Sequence, residues 1–499
     1  MTFVADASDH ESTRDETPLD FVIIGTGFSG LAMGAQLKRR GRHDFIILER
    51  ADDVGGTWRD NHYPGAACDQ PSHMYSLSFR LNPEWSSIFS AQPEIWRYLQ
   101  DTARDEGLLP HIRFHSDVTS AAWDERRKVW VVSTASGVYV GRVLISAAGL
   151  LSEPKVPDIA GIDAFEGDVF HSARWDHGVE LQRRKVAVIG TGASGVQIVP
   201  QIAPLVERLT VFQRTPSWVT PRGDYQYNDL EKGMFRREPQ RLQALRTSMF
   251  WENEERFAAR AAIPSLLERA TQVALAHLEA QVPDAELRAR LTPDYAIGCK
   301  RILKSSDFYP ALMRDNVDLV TEPIECIEAA AVVTAGGHRH DIDALVLATG
   351  FEATEPPIAK RIIGRGALRL DKRWSNGAEA YKTVAVSGFP NLFLVGGPNT
   401  GIGHNSQVYM FEAQIEHILA VVKHMEGHGI DAVEVSESAE AAFTESLDRR
   451  ASSSVWLTGG CNSWYIDERS GRATTLWPDY SHSFQEEIPP LDTAAYQAV

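Results

Sequence analysis

The chain has 499 residues, 43% hydrophobic and 23% charged, enough apolar material for roughly two or three packed domains. Its formal charge of −17 argues against nucleic acid or an anionic membrane surface as partner, since both reward basic patches. Cys68, Cys299, Cys326 and Cys461 form no CxxC pair and have no zinc-type spacing, so they read as reduced thiols and no metal site is expected.

Residues 1–19 are acidic and carry no apolar run, which predicts a disordered tail rather than a signal peptide, and a cytoplasmic protein. No stretch of about 18 apolar residues offers a membrane span. Residues 20–24 (DFVII) then read as a buried strand that runs straight into GTGFSG, Gly25 to Gly30. A helical stretch follows over 31–40, and 45–48 (FIIL) is a second strand ending in Glu49. Runs at 129–132, 138–140 and 143–145 suggest a β-meander, and Pro154 and Pro157 mark a linker.

The first pattern then repeats. Residues 185–189 (KVAVI) lead into GTGASG, Gly190 to Gly195, and after a helical stretch 209–212 (LTVF) ends in Gln213 and Arg214. First glycine and strand-end residue lie 24 positions apart in both copies (49 − 25 and 214 − 190), which indicates two βαβ units of equal size. Leu266, Ala270, Val273 and His277 recur at helical spacing inside a helical insertion. Residues 343–349 (DALVLAT) and 391–395 (NLFLV) predict two further strands, one returning to each sheet.

The expected fold is therefore α/β, with two Rossmann-like dinucleotide-binding domains. The first spans 20–152 and 385–499, the second 153–222 and 330–384, with the helical insertion at 223–329. Gly25 and Gly190 allow a tight turn, Gly27 and Gly192 let backbone approach a pyrophosphate, and Gly30 and Gly195 let helix pack on strand. Ser29 and Ser194 sit at the helix N-termini that face the phosphates. Glu49 would accept hydrogen bonds from a ribose diol and repel a 2′-phosphate, which fits FAD or NAD. Arg214 and Thr215 offer the reverse, which fits NADPH; a solvated surface arginine would look the same in sequence.

Three further segments carry a family resemblance. Phe165 to Asp176 reads FEGDVFHSARWD, that is FxGxxxHxxxWD, with Phe165, Gly167, His171, Trp175 and Asp176 as its marks. It resembles the fingerprint of the Baeyer–Villiger monooxygenases and lies between the two glycine loops as in that family. Gly56 to Asp69 (GTWRDNHYPGAACD) resembles the family's second signature, and 343–351 (DALVLATGF) a strand motif common to flavin monooxygenases. The related N-hydroxylating enzymes usually end the fingerprint in an aromatic followed by lysine, so Trp175-Asp176 favours the Baeyer–Villiger branch. His171 then belongs to an interdomain hinge rather than to the chemistry.

The resemblance implies an enzyme in which NADPH reduces FAD, oxygen adds at flavin C4a, and the anionic peroxide attacks a ketone to give an ester or lactone. Such chemistry needs a fixed cation to keep the peroxide ionised and to stabilise the oxyanion. Cys299-Lys-Arg-Ile302 resembles the family segment that carries it, which places the cation at Arg301, its orienting carboxylate at Asp69 and a 2′-phosphate contact at Lys300. Unrelated surface charges at Asp69 and Arg301 are the alternative. Cys461 to Tyr465 (CNSWY) resembles the loop over bound NADP, with Trp464 covering the nicotinamide end unless it is a core residue. Thr57, Trp58 and Tyr75 are expected in the flavin pocket.

The segment 397–406 (GPNTGIGHNS) departs from the best-known cyclic-ketone members, and Ile302 stands where several members have proline. Substrate range is therefore left open. The expected partners are a small ketone and O2, with the chain a monomer or weak homo-oligomer. Oxygenation at sulfur or nitrogen is the competing activity, and a nucleotide-binding redox sensor the non-enzymatic one.

Overall fold

A computed structural model describes residues 17–499. Most of the acidic segment lies outside the described residues, but Leu19, expected in it, instead opens the first strand, Leu19–Ile24. That strand pairs in parallel with Phe45–Leu48 on one side and Gly137–Ser146 on the other. Its last four residues are fully buried, as an apolar β-branched run must be when both faces of a parallel sheet are covered. Val118–Asp124, Val129–Thr134 and Gly137–Ser146 form the antiparallel meander. Leu392–Leu394 returns late in the chain to pair with Gly137–Ser146.

The second sheet is wholly parallel, in the order Val317–Val320, Arg208–Phe212, Lys185–Ile189, Ala344–Leu347, Asp168–His171. Each glycine loop joins the carboxyl end of a central strand to a helix, Phe28–Arg39 in the first unit and Ala193–Ile202 in the second. Such carboxyl ends are where open α/β sheets bind their ligands.

Two expected boundaries are corrected. The helical insertion does not extend to 329: its helices run from Asp229–Arg237 to Ala285–Leu291, and Val317–Val320 is already an edge strand of the second sheet. The second unit does not extend to 384 either. Ile362–Ile363 pairs with Val118–Asp124 of the first sheet, and Ala359, Leu370, Trp374 and Ala380 pack into that unit's core. A two-residue strand and a run of short turns carry too little periodicity to show which core they join.

The helix around Val273 runs Pro264–Gln281, but its buried face is Ala274 and Leu278, while Val273 is 50% exposed. Of the residues chosen by spacing, Ala270 lies one turn before Ala274 and packs against the same cluster, whereas Val273 lies off the buried stripe.

Candidate active site

The first glycine loop closes on itself tightly. Gly25 has φ +101°, and a Cβ on Gly30 would stand 1.9 Å from the Gly25 carbonyl oxygen. Only glycine permits this approach of helix to strand. Ser29 donates to the Ala147 carbonyl oxygen at 3.3 Å. Glu49 is 4% exposed, and its carboxylate accepts from the Thr26 amide at 3.0 Å and from the Thr26 hydroxyl. The Arg59 guanidinium (2.9 Å) and the Ala51 amide (3.0 Å) complete its partners. Gly27, Glu49, Thr57, Trp58 and Tyr75 line one cavity of about 240 Å³, and the Trp58 indole donates to the Tyr75 hydroxyl at 3.1 Å. Buried Glu49 with free backbone beside it suits the adenosine and pyrophosphate of FAD.

The second loop has the same backbone: Gly190 at φ +108°, and a Cβ on Gly195 only 2.1 Å from the Gly190 oxygen. Its surroundings differ. Gly192 is exposed with open space around it, and Arg214 is exposed. Burial and then the charge of Arg214 lower the proton affinity of Lys300, so the two cations share one field beside Thr215. Lys300 also stands over the Tyr295 ring, 5.0 Å from its centre. An open amide cradle with paired cations at its rim suits a nucleotide bearing a 2′-phosphate.

Between the units lies an ion pair of distant residues. Arg301 donates to Asp69 from Nε at 3.0 Å and from Nη2 at 2.6 and 2.7 Å. Burial works against the Asp69 carboxylate, but the Arg301 charge and hydrogen bonds outweigh it and hold Asp69 below the usual carboxylate range. Asp69 in turn raises the proton affinity of Arg301, which stays charged at any working pH. Lys304, absent from the sequence reading, donates to the Asp69 carbonyl at 3.1 Å.

The same region overturns one expectation. Cys299 and Cys461 are not free thiols but a disulfide across 162 residues, with Cα atoms 6.1 Å apart; Cys68 and Cys326 are free. The bond ties the loop segment carrying Lys300 and Arg301 to the loop carrying Trp464. Connectivity over such a span has no signature in one sequence, because only the fold brings the two segments together. Trp464 is 42% exposed, stacks near Tyr465, and lines the first-unit cavity rather than a core.

The fingerprint segment forms the outer strand of the second sheet. A Cβ on Gly167 would meet the Asp343 carbonyl at 2.4 Å, and Trp175 is buried edge-on against Phe170, ring centres 4.9 Å apart. Phe165 packs beside Gly167, while Asp176 caps a turn by accepting from the Gly178 amide at 2.8 Å. His171 is buried, accepts from the Ala173 amide and meets the Phe351 ring edge-on at 5.8 Å. Its neighbour Phe351 forms an isolated bridge with Pro154, so His171 sits beside the point where these two connecting segments meet.

Sequence reasoning also missed the link from the second signature to the second unit. Tyr63 donates to Gln197 at 2.9 Å, and Gln197 donates to the Ala67 carbonyl at 2.9 Å. Gly65 (φ +83°) lies against the Gln197 backbone, so the Tyr-Pro-Gly run fits directly on the second helix. Among the described residues no group of His, Cys, Asp and Glu is arranged to hold a metal ion, and no helix is long and apolar enough to cross a membrane.

A chain with one closed and one open dinucleotide cradle, joined by an arginine–carboxylate pair, has the build of a two-nucleotide flavoenzyme. Residues 22–234 match the family model described as pyridine nucleotide-disulphide oxidoreductase. A Baeyer–Villiger monooxygenase of Streptomyces coelicolor is 44% identical over 99% of this chain and 94% of its own length. Another, of Pseudomonas aeruginosa, is 42% identical over 95% of this chain and 90% of its own. The crystal structure of cyclohexanone monooxygenase from Rhodococcus sp. Phi1 bound to NADP+ superposes with a TM-score of 0.86. It is 28% identical and covers 97% of this chain and 99% of that one. The chain belongs to the Baeyer–Villiger monooxygenase family, and its cofactors are FAD and NADPH.

Proposed function

We propose that this enzyme uses Arg301 to stabilise the negative charge that develops when an oxygen atom is inserted beside a ketone carbonyl, giving an ester or lactone. The observation that carries this reading is the bidentate grip of Asp69 on Arg301 across the two nucleotide units. Bound FAD supplies two-electron transfer from NADPH and activation of O2. The chain supplies the rest. Glu49, Thr26 and the Gly25–Gly30 turn hold the adenosine half of FAD, with Thr57, Trp58 and Tyr75 toward its ring. Arg214, Thr215 and Lys300 select the 2′-phosphate of NADPH, and the Gly190, Gly192, Ser194 and Gly195 turn takes its pyrophosphate.

Asp69 keeps the guanidinium in place while the nicotinamide arrives and moves, and a cation fixed in advance needs no reorganisation at the moment of reaction. Trp464, on the loop stapled to Cys299, covers the opening and keeps water from the reacting centre. His171, Trp175 and Asp176 hold the crossing of the two domain connections. The Arg301–Asp69 pair favours ketone oxidation over oxygenation at sulfur or nitrogen, which does not need an oxyanion partner. We place the enzyme in the cytoplasm, as a monomer or weak homo-oligomer. The Cys299–Cys461 bond removes the thiol argument for that location and leaves the demand for NADPH as its support.

The test is product analysis. Holoenzyme with NADPH, O2 and cyclohexanone should yield caprolactone in step with NADPH consumed. Ketone-stimulated NADPH oxidation that yields only hydrogen peroxide across a panel of cyclic and linear ketones would overturn the reading.

A further inference from the structure

Beside Arg301 the structure holds a second buried guanidinium, Arg260, that the chemistry above does not use. It comes from the short helix Phe257–Arg260 of the insertion and is 8% exposed. Among the described residues it donates to two backbone carbonyls, those of Arg256 (2.8 Å) and Gly403, and to no carboxylate. A guanidinium has five N–H donors, and burying one without a counter-charge is costly.

Its position is specific. A Cβ on Gly403 would stand 2.8 Å from the Arg260 Nε, and one on Gly298 would stand 3.9 Å from its Cγ. Gly298 is three residues before Arg301, and Gly401, two residues before Gly403, lines the flavin cavity with Trp464. Arg260 thus lies between the segment of Arg301 and the loop that lines the flavin cavity at Gly401. Burial, with Arg256 and Arg301 contributing, lowers its proton affinity, while neighbouring Tyr465 opposes them; Arg260 therefore lies within the field of both cations.

The surrounding charges do not answer it. Arg256, Arg301 and Lys304 add three more cations, in a chain whose overall charge is −17. Asp69 is committed to Arg301, and Glu252 is exposed beside Arg256. Buried Glu254 uses its oxygens on Ser481, Asn405, His404 and His482. Positive charge therefore outnumbers the available carboxylates around Arg260.

We propose that Arg260 is the substrate-anchoring residue of this enzyme and that its preferred ketones carry a carboxylate, so that oxo-carboxylic acids are its substrate class. This rests on the ketone-oxidising reading and names the substrate of that same site. The guanidinium takes the carboxylate through donors that the protein leaves free, and the carbonyl is presented to Arg301. A substrate anion next to the negative charge that develops during oxygen insertion would be repelled in a neutral pocket, and the second cation removes that penalty.

The experiment compares 4-oxocyclohexanecarboxylate with its methyl ester, one skeleton with and without the charge, at pH 7.5. Wild-type enzyme should favour the acid in kcat/KM, and Arg260→Met should lower the acid-to-ester ratio by roughly 10- to 100-fold, mostly through KM of the acid. Arg260→Lys should restore part of it. Because the readout is a ratio, general damage to the fold cancels. Equilibrium binding of the unreactive cyclohexanecarboxylate to the NADP+-loaded holoenzyme should weaken by a similar factor in Arg260→Met.

A ratio unchanged within about twofold together with unchanged carboxylate binding overturns the proposal, and so does a loss confined to NADP+ affinity, which would give Arg260 to the coenzyme. If neither ketone yields a lactone, the ketone-oxidising reading fails instead, and cyclohexanecarboxylate binding alone decides whether Arg260 is an anion site.

Discussion

In the first nucleotide unit the residue that would meet the ribose, Glu49, is 4% exposed and already fixed by Thr26, Ala51 and Arg59; in the second, Arg214 stands in solvent with Lys300 nearby. The loops themselves are nearly the same six residues with the same strained first glycine. What separates them is how far each site is built before its ligand arrives. A buried, preorganised carboxylate lowers the ordering cost of binding and suits a resident cofactor. Exposed cations give electrostatic capture with easy release, which suits a coenzyme that must exchange in every turnover.

The comparison breaks most completely at the glycines. Gly30→Ala would drive a Cβ into the Gly25 carbonyl at 1.9 Å, and the purified protein should come out without flavin. Gly195→Ala meets the same obstacle at 2.1 Å in the second unit, so it should keep FAD but no longer be reduced by NADPH. Flavin absorbance after gel filtration and anaerobic NADPH titration read these outcomes. A yellow Gly30→Ala protein would mean that the first cradle is not where the flavin is held. Next in size is the pair that joins the two units. Arg301→Ala should retain both nucleotides yet form ester about 10²- to 10³-fold more slowly, as for loss of one oxyanion partner. Undiminished ester yield per NADPH would remove Arg301 from the chemistry.

How much of this was legible in the sequence follows from what each feature depends on. Glycine loops and their strands are local, set by turn sterics and strand burial within about 25 residues, and they appear in the structure where the pattern put them. The Asp69–Arg301 pair spans 232 residues and was reached only through resemblance to a family. Arg59, Gln197, Lys304, Arg260 and the Cys299–Cys461 bond had no such aid. Gln197, Lys304, Arg260 and the disulfide act through partners distant in sequence or through backbone carbonyls, and Arg59 meets Glu49 and Asp60 only because the short turn after the second strand folds back; none leaves a spacing to read. The misplaced boundaries near 329 and 384 have the same origin, since short edge strands such as Ile362–Ile363 are assigned by what they pack against.

A smaller effect sharpens the contrast on the open side. Arg214→Ala should raise KM for NADPH by roughly 10-fold, the loss of one charged hydrogen bond at an exposed site, and leave KM for NADH nearly unchanged. High salt should shrink the wild-type preference in the same direction. Equal losses for both coenzymes would mean that Arg214 supports the fold rather than reading the 2′-phosphate.

The smallest expected effect is a pH dependence from Lys304, which touches the closed and open sides at once through the Asp69 carbonyl. Burial, followed by the charge of Arg256, lowers its pKa to about 8, with Arg301 acting the same way and Asp69 and Cys68 opposing. A lysine whose folded pKa is depressed binds fewer protons folded than unfolded between about pH 8 and its ordinary value near 10.4. Stability should therefore rise with pH across that window, because the penalty of a buried ammonium is fully present below pH 8 and is relieved above it. Turnover should move the opposite way: as the ammonium is lost, Asp69 keeps only Arg301 as a cationic neighbour, binds it more tightly, and draws it from the substrate. The kcat profile should then carry an alkaline limb of a few-fold near pH 8, absent in Lys304→Met, which should also lose the upward drift of Tm with pH. An alkaline limb that persists unchanged in Lys304→Met would assign it to another group and leave Lys304 a packing residue over the Phe89 ring, 4.6 Å from its centre.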